Sequence, residues 1–257
     1  DNHFTFLGEA VEPLSGFDAI FMRKDPPFDI AYLHATQLLD LAQQQGAVVL
    51  NNPAGLRAAN EKLFALNFSS VIPATLVSQE PQRLKAFMEE LGGEMIIKPI
   101  DGHGGAGVFH LHRQDRNLNS LLETSTRGGK EAIIAQQYLP AVRQGDKRLI
   151  VLNGEPLGGT LRVPREDEHR GNIHVGGTCV KADITPRDRK ICDLVGRRLR
   201  QEGLYFVGLD IIGEYLTEVN VTSPTGVQEI DVLDNVCLEA NVIDFVEQKV
   251  GERRQQA

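Results

Sequence analysis

The sequence predicts a mixed α/β (α+β) protein that combines parallel and antiparallel sheet, and three observations predict it. Residues 17–53 read strand, helix, strand, and a crossover of that kind implies parallel pairing. Leu149–Leu152 meets Leu157–Leu161 across Asn153-Gly154, and Leu204–Ile212 meets Leu216–Val221 across Gly213-Glu214-Tyr215; connections this short make antiparallel hairpins. Helical periodicity with start and stop signals lies between and after them, as in Thr185-Pro186 followed by Ile191, Leu194, Val195 and Leu199.

The elements follow in order. The opening to Ser15 is irregular, and a strand at Phe17–Arg23 ends in the turn Lys24–Asp29. A helix over Ala31–Gln45 and a strand at Val48–Pro53 complete the parallel unit. A lone unit of this size is marginal as a sheet, so the opening segment or upstream sequence is expected to add to it. A helix at Glu61–Leu66, a strand at Thr75–Val77 and a helix from Pro81 through Leu84, Phe87, Met88 and Leu91 to the stop Gly92-Gly93 come next. A short apolar strand carrying Lys98 runs into the glycines at 102–107, and another strand lies at Ala132–Tyr138. The polar loop 164–177 has the length of a lid or a disordered segment. A helix from Pro186 to Gln201 and a C-terminal helix over Asn235–Lys249 close the order.

The chain has 257 residues, more than the ~100–200 typical of one domain, so two packed subdomains are admissible. Hydrophobic residues at 41% and charged residues at 24% match soluble globular proteins. A net charge of −8 argues against a nucleic-acid surface, while a local basic cleft stays open to an anionic ligand. No apolar run approaches a membrane span and no signal-like segment is read at the start, which predicts a cytoplasmic protein without membrane partners. Cys179, Cys192 and Cys237 lack C-x-x-C spacing and read as free thiols.

The most informative stretch is Glu94–Phe109, in which Lys98 precedes the spacing G-x-G-x-x-G at Gly102, Gly104 and Gly107. A dinucleotide fold would open a helix at the third glycine. Here Val108–His112 is β-favouring, so strand, loop and strand form a hairpin lid over a nucleotide, with Lys98 able to reach phosphate as a point charge. No Lys-Ser or Lys-Thr closes the loop, which excludes a Walker A motif.

A second constellation lies in the last hairpin. Asp210 falls opposite Glu218, and Asn220 shares their face. Facing carboxylates destabilise a ladder unless a cation intervenes, and two carboxylates with a carboxamide suit Mg²⁺. A solvated hairpin face fits the pattern equally well; the phosphate loop tips the balance to metal. Lesser candidates have bland alternatives. Lys62, on a helix, reads as a solvated charge. Arg148, in Asp146-Lys147-Arg148, faces an anion or joins a surface salt bridge. Arg162, Arg165 and Arg170 either close over an acidic substrate or are solvated, and Ser223-Pro224-Thr225 supplies hydroxyls or ends a strand. His34, His103, His110, His112 and His174 have no metal spacing, and His103 alone sits in the glycine loop.

Taken in order, Asn60-Glu61-Lys62, Ile97-Lys98-Pro99 with its glycine loop, Ala135–Pro140, Asp146-Lys147-Arg148, Leu209–Ile212 and Thr217–Thr225 resemble the ATP-grasp ligases. Phe21–Asp29 and Val207–Gly213 narrow the resemblance to the bacterial glutathione synthetase family. The resemblance implies an ATP-grasp fold that presses ATP between two antiparallel-sheet subdomains, preceded by a partial parallel domain. It places that domain at 1–56 and the ATP-grasp domain at 57–257, divided into 57–139 with the glycine loop and 140–257 with a mobile loop at 164–177. It implies Lys62, Lys98, Gly104 and Gly105 on phosphates, Gln136, Gln137, Tyr138 and Leu139 at the adenine, and Asp146 beside the nucleotide. Asp210, Glu218 and Asn220 would hold Mg²⁺ or Mn²⁺. Arg148 and Arg162 would steady the developing anion, and Arg23, Asp25, Ser223 and Thr225 would face the substrate. The reaction implied joins γ-glutamylcysteine and glycine through an acyl phosphate, in a cytoplasmic homo-oligomer. The family's opening strand and helix have no counterpart here. Another ATP-grasp carboxylate–amine ligase and a non-catalytic ATP-binding module compete with this reading; the strand after Gly107 tells against a dinucleotide oxidoreductase.

Overall fold

Two antiparallel sheets face each other across a cleft in the computed structural model, which describes residues 4–102, 104–165 and 177–256. A small parallel pair precedes them: β1 (Ala19–Phe21) and β2 (Val48–Leu50), joined by α1 (Ile30–Gln44). Asp29 caps α1 by accepting from the Tyr32 amide at 2.7 Å. The opening segment adds no strand among the described residues; it carries one 3-10 turn at Leu14–Gly16. The pair is held instead by neighbours. Ala19, Phe21, Val48 and Leu50 pack with Phe206, Phe245 and Val246. Asn51 donates to the Phe206 and Val221 carbonyls and accepts from the Phe206 amide, all at 2.8 Å.

Two sequence expectations fail just after this unit. Pro53 starts a helix, α2 (Pro53–Ala58), rather than ending a strand: its fixed φ suits a first helical position, and Asn52 caps Ala54 and Gly55. No α-helix forms at 61–66, where a turn leads into a 3-10 segment at Phe64–Phe68. The physical reason is competition for backbone groups. Asn60 Oδ1 takes the Lys62 and Leu63 amides, and the Glu61 carbonyl accepts from Val219.

The first sheet and its helices form one subdomain, with β3 (Thr75–Ser78), α3 (Pro81–Glu90), β4 (Glu94–Pro99), β5 (Phe109–His112), α4 (Leu118–Ser125) and β6 (Ile133–Gln136) and the strand order β3-β6-β4-β5. Helix α4 was not expected. Leu84, Met88, Met95, Ile97, Leu111 and Leu122 form the subdomain's own buried cluster. Gly104, Gly105 and Gly107 adopt φ of 62°, 78° and 71°, values that suit residues without Cβ. Strand β6 stops at Gln136, short of the expected Tyr138.

The second sheet has the order β11-β10-β7-β8-β9, from β7 (Asp146–Leu152), β8 (Glu155–Val163), β9 (Thr178–Lys181), β10 (Phe206–Ile212) and β11 (Tyr215–Asn220). Asn153 and Gly154, at φ 50° and 82°, make the predicted β7–β8 turn. Helix α5 (Pro186–Gln201) opens with the Thr185–Asp188 capping box and buries Ile191, Val195 and Leu199 against Leu149, Val151, Leu209 and Val219. Gly196 of α5 lies so close to the turn that an added Cβ would stand 2.7 Å from the Gly154 carbonyl oxygen. Alanine there gains about 1 kcal/mol of helix propensity, but a backbone clash costs about 1–3 kcal/mol, so Gly196→Ala is expected to lose up to about 2 kcal/mol in urea unfolding.

The hairpin β10–β11 turns over two residues, Gly213-Glu214, not three. Asp210 nonetheless pairs with Glu218, because a bulge between Asp210 and Ile211 absorbs the difference. The C-terminal helix expected over Asn235–Lys249 is present as α7 (Leu238–Gln256), and a further helix that was not expected, α6 (Val227–Asp234), precedes it and ends where Asn235 turns left-handed at φ 54°. Most of the loop expected to act as a lid, together with His103, Arg170 and His174, lies outside the described residues. No helix among the described residues is long and apolar enough to cross a membrane.

Candidate active site

The cleft between the two sheets has a volume of about 690 Å³, within the usual range for small-molecule sites. Strand pairing assembles its floor. Glu218 on β11, Asp210 on β10, Arg148 on β7 and Thr160 on β8 stand opposite one another in register, forming one polar row across four strands. Asp146 and Arg162 pair in the next row. The other face of the same strands carries Leu149, Leu209 and Val219 in the core, so strand alternation separates chemistry from packing.

The buried charges are closely matched. Arg148 Nε and an Nη meet the two oxygens of Asp210 at 2.5 and 3.0 Å, and its other Nη donates to the Thr225 carbonyl at 3.1 Å. Arg162 Nη2 reaches Asp146 at 2.5 Å and Asp210 at 3.0 Å. Asp210 is 3% exposed, yet the two guanidinium groups outweigh the effect of burial and hold its carboxyl well below the usual range. Asp146 behaves oppositely. Burial pushes its pKa up to about 7 against the pull of Arg162, the negative charge of Asp210 adds to the rise, and its Oδ1 is buried without a hydrogen bond among the described residues.

A pH signature follows. Between its ordinary pKa near 3.9 and about 7, the folded state holds the Asp146 proton that the unfolded chain releases, so this group's contribution to stability declines as pH rises through that window. Asp146→Asn, permanently neutral, is expected to gain on the wild type from pH 5 to 7 by at most about 1.4 kcal/mol per pH unit, measured by urea unfolding of metal-free protein. A difference that does not change with pH would mean that Asp146 is already ionised at pH 5.

Above this floor stand the lysines. Lys98, on β4, points its Nζ at the Thr217 carbonyl, 3.2 Å away; burial lowers its pKa while Glu218 opposes that. Lys62 is 8% exposed, pairs with Glu218 at 3.0 Å and donates to the Gly102 carbonyl. The solvated reading of Lys62 is therefore wrong, because the turn at 60–63 delivers it into the cleft. The surface reading of Arg148 and Arg162 fails likewise, since they are 6% and 4% exposed. Arg165 is exposed.

At the far end, Gln136, Gln137, Tyr138 and Leu139 line the cleft where the chain passes from β6 to the second sheet. The Gln136 side chain donates to Thr75 at 2.9 Å, and Tyr138 stacks on His110 at 3.9 Å with 13° between planes. Gly104, Gly105, Asp25, Ser223 and Thr225 also line it, with Ser223 donating to Asp25 at 2.6 Å. Arg23 sits behind this rim, donating to the Pro224 carbonyl at 2.9 Å and lying over the Phe206 ring. Sequence reasoning assigned no role to Glu61, Thr222 or Glu229, which the cleft also contains. Glu61 stood inside a motif already noted; Glu229 rides on α6, too short to show a period.

Among the described residues no group of three His, Cys, Asp or Glu is arranged to hold a metal. The donors that fit a hard cation are the Glu218 carboxylate and the Asn220 carboxamide oxygen. Asp210 already accepts from two donors on each oxygen, from Arg148, Arg162 and the Asn220 amide. It joins a metal only by releasing one of them.

A glycine-loop lid carrying a lysine, closed over an arginine- and carboxylate-lined sheet, is the architecture of an ATP-grasp ligase. Solved structures share it: an ATP-grasp ligase, PsnB, complexed with a minimal precursor, Mg and ADP has a TM-score of 0.65 at 18% identity, over 91% of this chain and 78% of that one. D-alanine–D-alanine ligase from Bacillus anthracis, complexed with ATP, also has a TM-score of 0.65, at 12% identity over 93% and 82%. Family models describe residues 1–57 as the N-terminal domain of prokaryotic glutathione synthetase and residues 61–235 as its ATP-grasp domain. The glutathione synthetase of Thermosynechococcus vestitus is 54% identical over 91% of this chain and 73% of its own length; that of Synechococcus elongatus is 52% identical over 98% and 78%. The chain belongs to the prokaryotic glutathione synthetase family, and it is an ATP-dependent ligase.

Proposed function

We propose that the cleft synthesises glutathione from γ-glutamylcysteine and glycine, with residues 1–56 on the substrate side and 57–257 handling the nucleotide. The observation that carries this reading is the row Glu218–Asp210–Arg148 directly below Lys98 and Lys62. It sets cations and hard oxygens on both sides of a space suited to polyphosphate.

In this reading Lys62, Lys98 and the backbone at Gly104 and Gly105 hold the phosphates, while Gln136, Gln137, Tyr138 and Leu139 border the adenine and Asp146 stands beside the nucleotide. Asp210, Glu218 and Asn220 hold Mg²⁺, which when bound would draw charge from the transferring phosphoryl group. The dipeptide's cysteinyl carboxylate takes the γ-phosphoryl group and ADP leaves. The glycine amine then attacks that acyl phosphate, a proton is lost from nitrogen, and phosphate departs. Arg148 and Arg162 keep further N–H donors for the anionic oxygens of both steps. Buried and already clamped by carboxylates, they are oriented before the charge develops. Arg23, Asp25, Ser223 and Thr225 define the substrate end. The enzyme works in the cytoplasm as a homo-oligomer.

The test is ADP release measured with γ-glutamylcysteine plus glycine against other amino-acid and dipeptide pairs. Turnover that needs both named substrates is expected. Turnover with another pair but none with glycine would move the chain to a different ligase specificity.

A further inference from the structure

Glu61 sits where the lysine-bearing turn meets the metal-facing strand. Its backbone carbonyl accepts from the Val219 amide at 3.0 Å. Its Oε1 accepts three more hydrogen bonds, from the Val221 amide at 2.9 Å, the Thr222 amide at 3.0 Å and the Thr222 hydroxyl at 2.8 Å. One residue thus grips β11 on both sides of Asn220. The next residue, Lys62, pairs with Glu218 on the same strand and reaches the glycine loop at Gly102.

Strand β11 is the edge of its sheet, so nothing else in that ladder fixes its outer side. The segment around Glu61 supplies what is missing, with the Val71 carbonyl accepting from Leu216 further along. Three donors on one carboxylate oxygen are charge-assisted bonds, stronger than neutral ones. The site is mostly buried, and burial is the largest influence raising the Glu61 pKa, with the Thr222 and Val221 donors opposing it. A charged group kept in such a place against its desolvation cost is doing more than filling space.

We infer that Glu61 is a positioning residue, which holds the phosphate lysine Lys62 and the metal-facing oxygens of Glu218 and Asn220 at one fixed spacing. The inference rests on the roles given above to Lys62, Glu218 and Asn220. It predicts that Glu61 governs how much Mg²⁺ is needed to bind nucleotide, because outer partners of this kind orient the groups that touch the metal.

The experiment is calorimetric titration of AMPPNP into the full chain at a series of Mg²⁺ concentrations, so turnover plays no part in the readout. Glu61→Ala is expected to raise the Mg²⁺ concentration for half-maximal binding by about 10-fold or more. Glu61→Gln, which keeps the accepting oxygen, recovers most of that loss, and Thr222→Val, which removes one donor of three, shifts the midpoint about threefold. A folded Glu61→Ala protein with an unshifted midpoint overturns the inference, as does a Glu61→Gln protein as weak as Glu61→Ala. Should Glu61→Ala not fold, an unshifted Thr222→Val midpoint overturns it instead. Glu218→Gln separates the two claims. If that variant binds as the wild type does, the reading of the metal site fails; if it weakens while Glu61→Ala does not, only the positioning role fails.

Discussion

Lys98→Met is expected to lower kcat/KM for ADP release by about 100- to 1,000-fold, the usual loss when one preorganised donor to a developing anion is removed. Methionine keeps the length and apolar stem of the lysine, and the cluster beneath β4 is built from Met95 and Ile97 on the other face of the strand. The fold should therefore survive, and the thermal midpoint is the check. Among the described residues the Thr217 carbonyl loses its donor and Glu218 loses a neighbouring cation. The ammonium is also unusual in having its charge opposed by burial, which makes an incoming phosphate a better partner than it would be for a solvated lysine. A loss below about tenfold, seen in a coupled assay at saturating Mg²⁺, would place the phosphoryl group elsewhere.

Asp210→Asn carries the largest expected stability effect. Above about pH 7, where Asp146 is ionised, the floor sets two guanidinium groups against two carboxylates, Arg148 and Arg162 with Asp210 and Asp146. Removing one negative charge leaves a buried cation uncompensated, at a cost of about 3–5 kcal/mol. The double variant Asp210→Asn with Arg148→Met restores charge balance, leaving Arg162 and Asp146 as a simple pair. It is expected to be more stable than Asp210→Asn alone, as urea unfolding of the ligand-free proteins above about pH 7 will measure. A double variant that is weaker still would mean that the hydrogen bond from Arg148 to the Thr225 carbonyl, rather than charge balance, dominates the site.

The sequence disclosed the site better than its supports. Asp210 opposite Glu218 was legible because strand alternation and a short turn leave few registers, and the bulge after Asp210 preserved the pairing despite a turn one residue shorter. The glycine loop was legible because its spacing and flanking β-branched and apolar residues admit few structures. Lys62 was not, since its burial depends on a turn created by the Asn60 side chain and by the Val219 amide, a partner more than 150 residues away. Arg148 and Arg162 were ambiguous for a related reason. A strand pattern shows which face a side chain takes, but not that a second sheet covers that face. Helices α4 and α6 are eight residues each, too short for periodicity to separate them from loops. The contacts that hold the small parallel pair to the rest were not legible, because Asn51 works through β10 and the end of β11, more than 150 residues away.

The separate hydrophobic cluster of the lid subdomain has a mechanical meaning. Leu84, Met95, Leu111 and Leu122 are enclosed by their own sheet and helices, so swinging the lid away from the floor uncovers little oil. Polar contacts join it to the floor, among them Lys62 to the Gly102 carbonyl, Asn60 to Asp101 and Lys98 to the Thr217 carbonyl. The two lysines are groups that a polyphosphate would engage. The rate of ADP release is therefore expected to rise with ionic strength, which stopped-flow measurements at a series of salt concentrations will check.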